Sequence, residues 1–285
     1  MKRSEFRHLE RLRVRWAEVD LQQIVFNGHY LMYFDTAMAG YWRALALPYT
    51  ESMAALGGDL YVRKATLDYL GSARYDEQLE IGVRCAQVGN SSLRFSAAVF
   101  RGERLLVHGE LVYVFADVAT QKARPVPAPL RALLQGFEVG DDVLDLHTGD
   151  WAALGADARR IRQAVFVDEQ GIAADLVLDD ADATALHAVA RNRLGTPVAA
   201  GRLLQPEPGL AQIGRMATLP TVRGAHLGAA VLRRLMDQAR RRGDQAVILQ
   251  AQTAAVGFYE RFGFVREGGV FEAAGVPHQT MRRTL

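Results

Sequence analysis

The sequence predicts an α+β protein of two domains: one long helix with antiparallel strands, then a mixed α/β layout. Three observations carry this. "LRVRWAEV" alternates with period two, as a half-buried strand does. Shortly after it Leu31, Phe34, Met38, Tyr41 and Leu45 recur at steps of three and four, one apolar stripe on a helix. Beyond a proline-rich stretch the chain changes to strands alternating with helices around a glycine-bearing loop. A length of 285 residues suits two domains.

In chain order, the first strand sets Leu12, Val14 and Trp16 on one face and Arg11, Arg13 and Arg15 on the other. Asp20 lies in the short crossing from that strand to the helix. "QLEIGVRCAQV", "SSLRFSAAVF" and "LLVHGELVYVFADV" are three extended segments, and "GNSS" and "RGER" are turns between them. Such short breaks favour antiparallel neighbours. Three prolines, Pro125, Pro127 and Pro129, exclude a central strand. A short helix at 130–135 and a Gly/Asp-rich patch follow, which sets domains at 1–138 and 139–285. In the second domain "ADARRIRQAVFVDE" reads as helix, "TALHAVARN" and "TPVAAGRLL" as a strand pair turning at "RLGT", and "AQIGRMATL" as a strand stopped by Pro220. A helix at 224–242 places Leu227, Val231, Leu235 and Ala239 at steps of four. "AVILQAQ" is a further strand and "AVGFYERFG" a further helical turn.

Composition narrows the function classes. A net charge of +2 is too small to draw the chain to nucleic acid or an anionic membrane. The single cysteine, Cys85, rules out an intramolecular disulfide and a cysteine-built metal cluster. It continues the alternation Leu79, Ile81, Val83, so a buried thiol is expected. The N-terminal "MKRSEFRHLERLRVR" is basic without an apolar run, unlike a secretory signal. No segment approaches the ~20 apolar residues of a membrane span. The expected compartment is the cytoplasm.

A helix start offers unpaired N–H groups and partial positive charge. Asp20 beside one either caps it or belongs to a reaction centre. Asp20, Gln23, Ile24, Val25, Asn27 and Tyr30, running into the helix, resemble the hotdog-fold acyl-CoA thioesterases of the 4-hydroxybenzoyl-CoA thioesterase family. "YLGSARYDEQLEI" and "VGNSSLRF" are similar to the family's later strands, and the resemblance spans about residues 8–135. It implies that Asp20 acts on the thioester as nucleophile or general base. It also implies that amides around Asn27 and Gly28 hold the oxyanion, with Tyr30 beside the thioester. One such donor is typically worth about 3 kcal/mol. The family has glycine where Gln23 stands, which permits a positive φ. Gln23 therefore reshapes the pocket, supplies a side-chain amide, or marks a degenerate site. Asn27 also reads as an N-cap, and His29 and Tyr30 as a first helical turn.

Three blocks of the second half, "VFVDEQGI", "IGRMATLPTVRGAHLGAAVL" and "LQAQTAAVGFYERFGF", resemble the GNAT superfamily of acyl-CoA-dependent N-acyltransferases. The closing "GVPHQTM" is similar to the branch that has "VFVxEQ". The resemblance implies a pyrophosphate cradle of Arg223, Gly224, Ala225, His226, Leu227, Gly228 and Ala229. Backbone amides where a strand hands over to a helix bind such oxygens. Met216, Ala217 and Gln252 would complete the coenzyme A contacts. His226 replaces a glycine, and if it is already helical it needs no positive φ. Tyr259 takes the place of the general acid that protonates the departing thiolate. Glu169 and His278 would face the acceptor amine.

Both halves point to acyl-CoA. The reading is a bifunctional enzyme, hydrolysing acyl-CoA in the first domain and acylating an amine in the second, with no metal required. Hotdog domains assemble sites across interfaces, so a homodimer or homotetramer is implied. The alternative is an active acyltransferase whose hotdog half is a non-catalytic dimerisation and acyl-CoA-sensing module.

Overall fold

The N-terminal alternation folds as β1 (His8–Arg13), shorter than its pattern. Trp16–Glu18 turn instead as one 3-10 turn, because the Arg15 amide donates to the Glu18 carboxylate at 2.7 Å. Trp16 is left 77% exposed, so the apolar face ends at buried Val14. Helix α1 (His29–Ala44) buries Tyr30, Phe34, Met38 and Tyr41, and Leu45 beyond its end is buried as well. Leu31 stays exposed; the buried stripe begins one residue earlier than expected, at Tyr30.

Then come α2 (Tyr49–Leu56), β2 (Asp59–Tyr69), β3 (Gln78–Val88), β4 (Ser92–Arg101) and β5 (Arg104–Ala116). The sheet order is β1-β3-β4-β5-β2, antiparallel throughout. Cys85 is buried on β3. α1 lies against this sheet. A Cβ at Gly109 of β5 would come within 2.9 Å of the Phe34 ring, so glycine lets the helix approach there. Helix α3 (Ala128–Val139) outruns its expected span. The prolines at its start need no helical N–H partner, and Gly140, at φ 102°, closes its end. Its Phe137 ring meets Tyr41 at 5.3 Å. Arg7 donates to the carbonyls of Phe137 and Asp141, which ties this stretch to the first unit. The computed structural model describes residues 1–285, and its two compact units are Met1–Val143 and Leu144–Leu285.

The second unit opens with β6 (Leu144–Gly149) and α4 (Trp151–Arg162), whose N-cap Asp150 accepts from the Ala153 amide at 2.9 Å. The "VFVDE" stretch leaves α4 as a wide π-helical turn, Gln163–Glu169. After α5 (Ala174–Val177) come β7 (Leu186–Asn192), β8 (Pro197–Glu207), β9 (Leu210–Thr218) and α6 (Leu227–Arg242). β10 (Ala246–Gln252), α7 (Val256–Glu260), β11 (Val265–Ala273) and β12 (Val276–Thr284) complete it. The order is β11-β12-β10-β9-β8-β7-β6. Only β9 and β10 run parallel, joined through α6. Leu227, Val231, Leu235 and Ala239 form the buried stripe of α6. No helix is long and apolar enough to cross a membrane.

Candidate functional site

In the first unit, Val19 and Val25 bridge across a small loop that carries Asp20. The Asp20 amide donates to Ile24 O at 2.9 Å, and the Gln23 amide to Asp20 O at 2.9 Å. The Asp20 carboxylate accepts from the Gln22 amide at 2.8 Å and is half-buried. Gln23 has φ 60°. The turn therefore keeps the left-handed backbone that glycine would supply, at a cost of about 1–2 kcal/mol for a residue with a Cβ.

The chain then enters α1. The amides of His29 and Tyr30 reach back to Phe26 O and Asn27 O, whereas those of Asn27 and Gly28 have no protein acceptor. Two adjacent amides are thus open at the start of a helix, where the dipole favours negative charge. Gly28, not Asn27, holds the cap position, and no side chain caps this helix. Tyr30 follows in the first turn of α1. Its ring is buried in the core and its hydroxyl accepts from the Ala73 amide at 3.0 Å.

A carboxylate absent from the sequence reading lies nearby. Glu18 is buried and accepts from the Tyr33 hydroxyl at 2.8 Å and from Arg15 Nε at 2.7 Å. Burial alone pushes its pKa up, but these bonds outweigh burial and hold it below the ordinary glutamate value. With its oxygens engaged it is a structural anion. Asp20 keeps more of its oxygen surface available.

In the second unit, β9 and β10 pair only as far as Ile213 and Leu249. β9 continues to Thr218 and β10 to Gln252, but beyond Leu249 β10 is paired with β12 alone, so the two strands part. At the parting lies an open cleft of about 1150 Å³ lined by Met216, Ala217, Arg223, Gly224, His226, Leu227, Gly228 and Ala229. Ala225, Gln252, Glu169 and His278 are not among its lining. Arg233, Arg261 and Arg283 are, so the cleft carries four guanidinium groups. Only Arg223 among them stands in the expected cradle, because the others come from α6, the C-cap of α7 and β12 and meet only in the fold.

His226 overturns one expectation. It is not helical but sits at φ 60°, ψ 17° as the residue that caps α6. The cradle therefore has a left-handed position held by histidine, one of the residue types that tolerates it. The amide remains available as a donor.

Arg223 donates to both oxygens of Glu169 at 2.6 Å, and its Nε to Thr218 O at 3.2 Å. Glu169, expected to face an acceptor amine, is instead paired with the cradle arginine. Gln252 donates to Gln170 Oε1 at 2.9 Å and lies opposite His278 across β10 and β12. His278 stacks on Phe271, with Nδ1 2.8 Å from Val276 O.

Tyr259 lines the cleft from α7, packed edge-on against Phe258 at 4.9 Å and Phe264 at 5.9 Å. Phe262 packs tilted against Phe258, ring centroids 5.1 Å apart, rather than on Tyr259. Burial pushes the Tyr259 phenol up to about 12, which keeps it protonated at neutral pH. No cluster of three His, Cys, Asp or Glu side chains is placed to hold a metal ion.

Comparison with known proteins identifies both halves. The family described as "Acetyltransferase (GNAT) domain" matches residues 165–285, and "Thioesterase superfamily" matches residues 22–119. The latter match begins just past Asp20. The second half is 34% identical over 128 residues to an uncharacterised N-acetyltransferase, YjcF, of Bacillus subtilis, covering 45% of this chain and 90% of that protein. The first half is 26% identical over 122 residues to the acyl-CoA thioester hydrolase YbgC of Escherichia coli, covering 42% of this chain and 90% of that one. A solved structure, the hypothetical protein TT1821 of Thermus thermophilus, is 26% identical with a TM-score of 0.42, over 45% of this chain and 97% of its own.

Proposed function

We propose that this chain, which belongs to the GNAT acetyltransferases through its second half and to the thioesterase superfamily through its first, is a two-site acyl-CoA enzyme. Domains of both families act on CoA-linked substrates. The second unit transfers the acyl group from coenzyme A to an amine, and the first hydrolyses an acyl-CoA thioester.

The observation that carries the transfer reading is the cationic cleft where β9 and β10 part, with Tyr259 in its wall. The pyrophosphate lies over the left-handed turn at His226 and the amides that start α6, beside Arg223. To reach it, Arg223 gives up part of its pairing with Glu169. The acyl arm runs along the free edge of β9 at Met216–Thr218, where backbone groups lack a β10 partner. The amine nitrogen bonds to the thioester carbonyl, and the C–S bond breaks as the tetrahedral adduct collapses. The amine loses its proton to water, and Tyr259 gives one to the leaving sulfur. Burial pushes the phenol up to about 12, so at neutral pH it carries the proton that the leaving sulfur needs.

In the first unit Asp20 activates water or attacks the thioester carbonyl itself. The open amides of Asn27 and Gly28 receive the oxyanion. Because Gln23 keeps the positive φ, the turn that presents Asp20 retains its shape. That favours an active site over a purely dimerising module. β2 is an edge strand with one side unpaired, which supports association of two copies through the first unit. The cytoplasm suits a substrate that is an intracellular thioester.

Free thiol release from a panel of acyl-CoA esters, measured with and without a panel of amines, tests both halves. Release without amine that vanishes in Asp20→Asn supports the hydrolase. Amine-dependent release that vanishes in Tyr259→Phe supports the transferase. Release that needs neither residue sinks the assignment.

A further inference from the structure

Three arginines meet on the sheet face covered by α4: Arg162 of that helix, Arg202 of β8 and Arg215 of β9. They share two carboxylates. Arg162 Nη1 donates to both oxygens of Asp182, at 2.9 and 2.8 Å. Arg202 Nη1 donates to Asp182 at 2.9 Å, and its Nη2 to Asp179 Oδ2 at 3.0 Å. Arg215 Nη2 donates to the same Asp179 oxygen at 2.7 Å.

The remaining titratable neighbour adds no charge. Burial lowers the pKa of His187, whose Nε2 lies 2.9 Å from Asp182 O while its Nδ1 faces Arg162. Three guanidinium cations therefore face two carboxylate anions. The Nε atoms of all three arginines are buried without a hydrogen-bond partner. Buried cations are ordinarily paired one to one with anions, and here the guanidinium groups outnumber the carboxylates by one.

Its exposure is graded. The side chain of Arg162 is 0% exposed, that of Arg202 9% and that of Arg215 29%. Only Arg215 brings the surplus charge to solvent. It does so at φ 53°, where the register of β8 and β9 slips and β9 bulges. The next residue, Met216, lines the acyl-CoA cleft.

From this juxtaposition we propose that the amine acylated by the second unit carries a carboxylate, and that Arg215, backed by Arg202, receives it. Asp179 already shows the geometry, one carboxylate bridging the two guanidinium groups. A planar carboxylate matches the N–H fork of arginine, and one further negative charge balances the cluster. Held at Arg215, such a molecule presents its amine beside the residue that borders the thioester. The inference rests on the acyltransfer reading above.

The test has an arm independent of catalysis. Succinate and its uncharged diamide are titrated into the full chain while thermal unfolding is followed. Succinate raises the unfolding temperature saturably and the diamide does not. Arg215→Gln removes the response. Asp179→Asn, which deletes the resident anion, strengthens succinate binding at least threefold. This opposite sign keeps the test decisive if Arg215→Gln fails to fold. An equal response in wild type and Arg215→Gln, or none in wild type and Asp179→Asn, overturns the site. In the second arm β-alanine and β-alaninamide compete as acceptors with acetyl-CoA. β-Alanine is favoured at least tenfold in kcat/KM, and Arg215→Gln erases the preference by raising KM. Acetylation of both amines without preference overturns this inference alone. Succinate binding without acetylation of any amine overturns the transfer reading and the acceptor role with it.

Discussion

Glu18 and Asp20 are two carboxylates in one short turn with opposite surroundings. Asp20 was legible in the sequence because a strand pattern ends before it and a helix pattern begins after it. Glu18 was not, because its partner Tyr33 comes from the first turns of α1 and its burial arises only when the helix packs. The two predict different phenotypes. Asp20→Asn is nearly isosteric and can still accept from the Gln22 amide. It should abolish thiol release by the first unit while leaving the urea midpoint within experimental error; full hydrolysis in that variant would remove Asp20 from the mechanism. Glu18→Gln should instead cost about 2 kcal/mol at pH 7, the usual size for hydrogen bonds to a charged group. Its pKa is depressed by the fold, so its contribution is present above the unfolded value near 4.5 and lost as pH falls through the lower folded value. The stability gap between wild type and Glu18→Gln should therefore close below about pH 4. A gap that widens on acidification would mean that the carboxylate is not held ionised.

At the scale of elements, legibility followed burial. β3 and β10 match their expected segments because buried side chains impose a pattern on both. β2 and β11 are edge strands, mostly exposed, and carry no alternation to read. The cradle was legible as a strand-to-helix turn, but its conformation was not, because histidine there does not announce a positive φ. That conformation has a measurable consequence. His226→Gly relieves a left-handed strain of about 1–2 kcal/mol and gives back about 0.4–1 through the looser unfolded chain. It should stabilise the second unit modestly and leave coenzyme A affinity intact. His226→Val, stiff at Cβ, should lower the unfolding midpoint, and a Val variant as stable as the Gly variant would mean that the turn relaxes. Gly228 supplies a separate check. A Cβ there would lie 3.3 Å from Thr218 Oγ1, close but tolerable. Gly228→Glu should thus fold yet place a negative charge beside the pyrophosphate, weakening coenzyme A binding at least tenfold by calorimetry. Unchanged affinity would move the cofactor elsewhere.

At the scale of the molecule, each proposed site is built within one unit. Asp20 and the open amides of Asn27 and Gly28 lie in Met1–Val143, and the cleft with Tyr259 lies in Leu144–Leu285. The sequence revealed this division because two unrelated sets of motifs occupy separate halves, whereas the arginine cluster around Asp182 joins residues far apart in sequence and left no local signal. In the proposed function both sites draw on acyl-CoA, so hydrolysis in one unit would consume the donor needed by the other. Separate sites with a shared donor make a sharp pair of predictions. Tyr259→Phe removes one hydroxyl and keeps the ring contacts with Phe258 and Phe264. General acid catalysis is typically worth about 10²–10⁴-fold, so amine acylation should slow by that order with acyl-CoA affinity unchanged. Hydrolysis on the same preparation should continue at its normal rate. Asp20→Asn should give the reverse. With acyl-CoA limiting, it should also raise the final yield of acylated amine, because less donor is lost to water. Equal losses of both reactions in either variant would require one shared centre. A yield of acylated amine that stays flat in Asp20→Asn would show that the two units do not compete for the same thioester.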